Sequence, residues 1–188
     1  MGLQEYLDEK YIESVFDRAL DSKEPWEFHI CGQEIIRAKV VENQKYDVKL
    51  EIEGKGEETI PKLNIKLLYP GDLAEKVRPL IKVDEKVRKL GLEPIVPPSK
   101  RNHIKNKSLF PLMKEREVVF FTLLEGEVIK GLVTDFSRYD ITVNMKGGIP
   151  VTLLRHGVHD LRNKKGRCFL KSSQEKLRDW EKSPLYRE

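Results

Sequence analysis

The chain has 188 residues, 35% of them charged and 39% hydrophobic, which is too apolar for a disordered polymer, too polar for a membrane-embedded protein, and enough for one ordinary domain or two small ones. Its formal net charge of +4 hides an asymmetry: residues 1–70 hold 10 Lys+Arg against 15 Asp+Glu, and the remainder holds 25 against 16 (35 − 10 and 31 − 15). A basic second half suits a polyanionic partner; apolar runs such as VVFFTLL are far too short to span a bilayer, and with no charged-then-apolar leader the expected location is the cytoplasm.

In chain order, residues 4 to about 22 place Leu7, Tyr11, Ile12, Val15, Phe16, Ala19 and Leu20 at three- and four-residue spacings, which predicts one amphipathic helix. From Trp26 the period becomes two, and WEFHI, EIIRAKVV, YDVKLEI, ETI and NIKLLY read as five short strands ending near Pro70. A connector follows in which Asp72 and Glu75 have capping-box spacing, Pro79 interrupts the helix and Gly91 ends it. LEPIVPPSKRNHIKNKS is Pro-rich and basic and reads as an extended linker. SLFPLMKERE holds a short helix, and VVFFTLL, EVIKGLVTDF, YDITVNM, IPVTLL and HGVHDL are five strands again; Ser172 and Glu175 predict a short terminal helix. The divisions expected are therefore 1–70, 71–107, 108–170 and a tail at 171–188. Cys31 and Cys168 read as reduced, buried thiols, with no disulfide and no zinc pattern.

The second set of strands repeats the first. At an offset of 93, Phe28 meets Phe121, Glu34 meets Glu127, Ile36 meets Ile129, Val40 meets Val133, Tyr46-Asp47 meets Tyr139-Asp140, and Gly54 meets Gly147. Past the next hairpin the pairing of Ile60-Pro61 with Ile149-Pro150 suggests that the offset falls to 89 through a four-residue loop difference. Matches at fixed offset through one strand pattern indicate duplication. Tandem modules are expected; a single continuous sheet, or unrelated topologies for the two halves, would end that case.

A short helix followed by five bent antiparallel strands resembles the Sm-like fold, and LFPLMKEREVVFFTLLEGEVIKGLVTDFSRYDITVNMKGG with LLRHGVHDL resembles the bacterial Sm-like RNA chaperone family, Hfq, over residues 108–162, with residues 12–69 a weaker match. The resemblance implies a mainly β chain of two Sm-like, SH3-type five-stranded barrels joined by a helical and Pro-rich linker. Gly131 sits mid-strand where a missing side chain permits a sharp bend, with Ala38 in its place in the first repeat; Val128, Leu132 in part, Ile141, Val143 and Met145 would line the inside. Members of the family close rings through strand edges, so the implied assembly is a homo-oligomer, three chains making a pseudo-hexamer; the competing outcome is that the two modules pair with each other and stop at a monomer or dimer.

The resemblance also implies single-stranded, U-rich RNA as the partner, with bases stacked on aromatic rings and phosphates guided by cations. It assigns the second module's site to Arg138, Tyr139, Arg155 and His156, and the first module's weaker copy to Lys45, Tyr46 and Lys66, with Leu67 in the histidine's place. Lys114 and Arg116 match a basic rim that Lys100, Arg101, Lys105 and Lys107 would reinforce. His29 and Thr122 stand where the family's adenine-stacking tyrosine would be, which counts against poly(A) recognition. An enzyme is not expected: GKGEE lacks the end of a phosphate-binding loop, His156 and His159 lack a third ligand, and Asp135 and Asp140 suit backbone capping in turns better than a metal. No cofactor is implied. A protein-interaction scaffold that keeps the fold without binding RNA is the alternative.

Overall fold

The computed structural model describes residues 1–170; the expected tail helix at 171–188 lies outside them. The chain opens with two helices where the periodicity predicts one. Helix α1 (Leu3–Lys10) and helix α2 (Val15–Ser22) are separated at Ser14, whose hydroxyl accepts the Phe16 N–H at 3.2 Å, while the Asp140 carboxylate accepts the Val15 N–H at 2.9 Å. The break has a packing cause. Tyr6 on α1 lies 4.7 Å from the Phe136 ring and joins one core, whereas Val15, Phe16 and Ala19 on α2 join the other, and one straight helix could not face both.

Strands β1 (Trp26–Ile30), β2 (Glu34–Asn43), β3 (Asp47–Ile52), β4 (Gly56–Pro61) and β5 (Ile65–Pro70) form the first half. The connector holds helix α3 (Ala74–Val77), the two-residue strand β6 (Lys82–Val83) and helix α4 (Glu85–Arg88), then helix α5 (Asn106–Lys114) follows. Strands β7 (Val118–Leu123), β8 (Glu127–Phe136), β9 (Asp140–Met145), β10 (Ile149–Leu154) and β11 (Val158–Asn163) complete the chain. The helix expected between Asp72 and Gly91, interrupted at Pro79, is two short helices with β6 between them; Gly91 ends the second with φ +60°, and the cap falls on Asp84, which accepts the Lys86 N–H at 3.0 Å, and not on the exposed Asp72.

All strands belong to one antiparallel sheet of eleven strands, ordered β11-β7-β8-β9-β10-β5-β1-β2-β3-β4 with β6 beside β8, and the sheet does not close. This corrects the expectation of two separate barrels: the sheet is continuous. Within it each half has the same order, its fifth strand beside its first and then second, third and fourth. The halves meet where β10 pairs with β5, Thr152 opposite Leu68 and Leu153 opposite Leu67.

The offset of 93 holds throughout, which corrects the expected fall to 89. Ile60 faces Val48 and Leu153 faces Ile141, so Ile60 corresponds to Leu153 and the two hairpin loops are equally long. The β2–β3 and β8–β9 pairings slip at Val40/Glu42 and Val133/Asp135, again 93 apart (133 − 40). Lys23 and Arg116, ending the helix before each set of strands, both have positive φ, +56° and +54°. The repeated IP dipeptide reflects composition and not register.

Two cores sit on the sheet, and β5 serves both: Ile65 and Leu68 face the first, Leu67 and Tyr69 the second. Ala74 and Val77 of α3 and Ile104 also join the second core, so α3 and the residues leading into α5 pack against the second half, while Val96 stays exposed. Gly131 is required by close approach, since a Cβ there would stand 2.3 Å from the Asn144 carbonyl oxygen.

Candidate nucleic-acid interface

The turn between β8 and β9 is built by Ser137. Its backbone N–H donates to the Asp140 carbonyl at 2.9 Å, and its hydroxyl accepts the N–H groups of Tyr139 and Asp140, each at 3.2 Å. The short loop throws Arg138 and Tyr139 outward. Tyr139 is 59% exposed, and the Arg138 guanidinium lies 5.6 Å from the centre of its ring. The Arg138 N–H donates to the Tyr11 carbonyl at 3.1 Å, tying the turn to the chain between α1 and α2.

Arg155 and His156 arrive from the turn after β10. The Arg155 N–H donates to the Tyr139 carbonyl at 2.9 Å, so the two turns are one structure. The Arg155 side chain does not face solvent freely: it donates to the Ile104 carbonyl at 3.1 Å and to the Asn106 side-chain oxygen at 2.9 Å, and it lies over Phe136. Burial lowers its pKa from the usual range, though a guanidinium stays charged at neutral pH. The His156 imidazole lies 2.8 Å by Nε2 from the Ile65 carbonyl oxygen, so Nε2 carries the proton. Burial lowers its pKa and the Ile65 and Lys62 carbonyls push back; the net direction is down, and the ring is neutral at neutral pH.

These residues line a cleft of about 850 Å³ whose other wall is the segment leading into α5, with Arg101, His103 and Lys105, together with Lys107 in that helix's first turn, and whose lining includes Leu3, Leu7 and Tyr11. With Arg138 and Arg155 this makes five Lys or Arg side chains, and no Asp or Glu lines the cleft. Sequence reasoning placed the linker cations on the rim beside Lys114 and Arg116. The structure brings Arg101, Lys105 and Lys107 to Tyr139 instead, while Lys114 and Arg116 stay exposed at the far end of α5, outside the cleft.

No family model, curated protein or solved structure matches this chain. The site therefore rests on its own geometry. Among the described residues no helix is long and apolar enough to cross a membrane, and no three His, Cys, Asp or Glu side chains gather as metal ligands would. Asp140 caps α2, and Asp135 receives the Tyr6 hydroxyl and faces Arg18 at 3.7 Å.

The first half repeats the turn. Gln44 N–H donates to the Asp47 carbonyl at 3.1 Å, Lys62 N–H to the Tyr46 carbonyl at 2.9 Å, and Tyr46 is 72% exposed with the Lys45 ammonium 5.1 Å from its ring centre. The equivalent of Arg155 is thus Lys62, which sequence reasoning missed, and Leu63 stands for His156. Lys62 donates to the Gln44 carbonyl and lies 5.0 Å from the Phe16 ring centre; burial lowers its pKa. The constant offset would have found it.

Lys66, assigned to the site from sequence, is corrected to a structural role. It is 1% exposed, in the bulge where β5 leaves β1, and its ammonium is bound between the Glu125 and Glu127 carboxylates. Glu125 also accepts the Gly32 N–H at 2.7 Å. Burial alone would raise the Glu125 carboxyl, but Lys66 and the Gly32 N–H hold it below the ordinary carboxylate range. The cluster pins the β1–β2 turn of one half to the β7–β8 turn of the other. His29 and Thr122 are buried, His29 Nε2 lying 2.9 Å from the Tyr69 hydroxyl, which donates to Glu27 at 2.8 Å. Neither offers a face for stacking.

Proposed function

We propose that the chain binds single-stranded, uridine-rich RNA in the cleft beside Tyr139, without chemistry, and that its two halves are duplicated Sm-like modules. The duplication is supported by identical strand order, matching β-bulges and matching left-handed residues at one offset. The observation that carries the RNA reading is the cleft's composition: an exposed tyrosine ring beside five cationic side chains with no carboxylate among its walls. Single-stranded RNA needs those two features, a flat apolar face for a base and positive charge along the backbone, and base stacking contributes about 1–3 kcal/mol. The cleft's size falls within the ordinary range for a small ligand or nucleotide.

Tyr139 is the stacking platform in this reading. Arg138 steadies its ring and meets phosphate, and Lys105 and Lys107 continue the positive track. Arg155 acts mainly by holding the linker wall in place through Ile104 and Asn106, and neutral His156 lines the base side. The first half, with Tyr46, Lys45 and Lys62 in more acidic surroundings, contributes a weaker contact.

Fluorescence anisotropy with labelled uridine and adenine oligomers at two salt concentrations tests this. The expected result is salt-sensitive binding with uridine preferred, weakened when Tyr139→Ala and His156→Ala are combined. Unchanged binding by that double variant moves the site elsewhere, and no binding by the wild-type chain favours a protein-interaction scaffold.

A further inference from the structure

The edge of β11 is the counterpart, in the second half, of the edge of β5 that receives β10. On β5 the contact is Thr152 opposite Leu68 and Leu153 opposite Leu67; 93 positions on, the corresponding β11 residues are Leu161 and Asp160. An open edge there would be ready to receive the fourth strand of another copy. It is already occupied. After a tight turn in which the Gly166 N–H donates to the Asn163 carbonyl at 3.0 Å, the chain doubles back antiparallel along β11. The Asn163 N–H donates to the Arg167 carbonyl at 3.2 Å, Arg162 bridges Cys168, and the Phe169 N–H donates to the Leu161 carbonyl at 3.0 Å. Phe169 therefore stands opposite Leu161 as Thr152 stands opposite Leu68, and Leu170 follows as Leu153 does.

Side chains hold this return as well as backbone. Asn163 Oδ1 accepts the Lys165 and Arg167 N–H groups at 3.1 and 2.9 Å, while Phe169 and Leu170 pack against the second core. At the opposite end of the sheet, β4 ends the strand order with its outer edge unpaired among the described residues. Its Thr59 and Ile60 correspond to Thr152 and Leu153, so β4 repeats the chemistry that β10 presents to β5. It also carries Glu57 and Glu58, which within the chain meet Lys49 at 2.6 Å and Lys55 at 3.0 Å and which are opposite in charge to the exposed Lys165 at the β11 end.

We propose that residues 167–170 are an intramolecular substitute for a neighbour's fourth strand, closing the β11 edge so that the chain stops at two modules, and that the occupant admitted when they lift away is β4 of a second copy. The segment competes with assembly because both would use the same β11 backbone groups, and its tether keeps its local concentration high. This inference does not depend on RNA binding.

The test uses the full chain in sedimentation and native mass measurements. Wild type is expected to run as one chain over the accessible concentration range. Phe169→Pro removes the N–H that bonds Leu161 and cannot sit in the antiparallel return; circular dichroism verifies that it folds, and faster thiol labelling of Cys168 verifies that the segment has opened. That variant is expected to give a concentration-dependent mass of two chains or more, and adding Glu57→Lys and Glu58→Lys should return it to one chain. A wild-type protein that assembles as dimers or larger species overturns the proposal. So does an opened Phe169→Pro variant that stays a single chain, association that ignores the charge reversal on β4, or Cys168 labelling in Phe169→Pro as slow as in wild type.

Discussion

The two outward turns of this protein share a design and differ in their setting. Lys45-Tyr46-Asp47 and Arg138-Tyr139-Asp140 use the same backbone bonds, and each tyrosine carbonyl is held by the N–H of the cation 16 positions on, Lys62 or Arg155 (62 − 46 and 155 − 139). Only the second turn is walled in. The segment before α5 folds over it, fixed by Arg155 to Ile104 and Asn106 and by Asn102 to the Val158 carbonyl at 3.2 Å. The repeated turn presents two exposed tyrosines, and the connecting segment encloses one of them in a cleft. Arg155 is central to that difference, because its planar fork bonds two groups of the wall at once where Lys62 has a single ammonium.

The sharpest way to break the comparison is at the equivalent mid-strand positions Gly131 of β8 and Ala38 of β2. Gly131→Ala should lower stability by about 3 kcal/mol or prevent folding, since its Cβ would meet the Asn144 backbone. Ala38→Gly, at the equivalent site, should cost about 1 kcal/mol through backbone entropy; chemical denaturation compares the two. A second contrast lies in pH. His29 has a pKa lowered to about 4, chiefly by burial and then by Lys66. The unfolded chain therefore binds the extra proton first, so the contribution of His29 is complete above its ordinary pKa of about 6.5 and is lost as pH falls from there toward 4. The loss amounts to about 3 kcal/mol, and urea midpoints across that window should show it, with His29→Gln flattening the slope.

Binding contrasts are smaller. Tyr139→Ala should weaken uridine-oligomer affinity by about 1–3 kcal/mol, while Tyr46→Ala should change it by well under that; equal effects would mean that both turns bind alike. Replacing Lys105 and Lys107 by Gln should reduce the slope of log affinity against log salt by about 1.4, the value for two phosphate contacts on a single strand. The smallest effect expected is from Lys62→Gln, whose affinity should stay within about twofold of wild type, less than 0.5 kcal/mol.

Much of the strand pattern was legible from alternation, and YDVKLEI and YDITVNM fall on β3 and β9; WEFHI falls on β1 although every residue of that strand is buried. The Arg138-Tyr139 turn was legible from the repeat. Register was not, since IP recurs at both hairpins by composition while hydrogen bonding aligns Ile60 with Leu153. That slip carried Lys66 into the site. A lysine inside NIKLL looks like a surface cation; its burial depends on Glu125 and Glu127, 59 and 61 residues away, and local pattern cannot see such partners. The break between α1 and α2 escaped for a similar reason, because Asp140, which accepts the Val15 N–H, is 125 residues distant. The cleft wall was read as a linker because Pro and Lys describe exposure and say nothing of where a segment lands.

Strand β5 sends Ile65 and Leu68 one way and Leu67 and Tyr69 the other. A fragment ending at residue 70 would consequently bare to water an apolar surface that the remainder normally covers, and the remainder would lose part of its interior. The two modules share a wall and should melt together: calorimetry of the intact chain would record one heat-absorption peak where independent domains would give two.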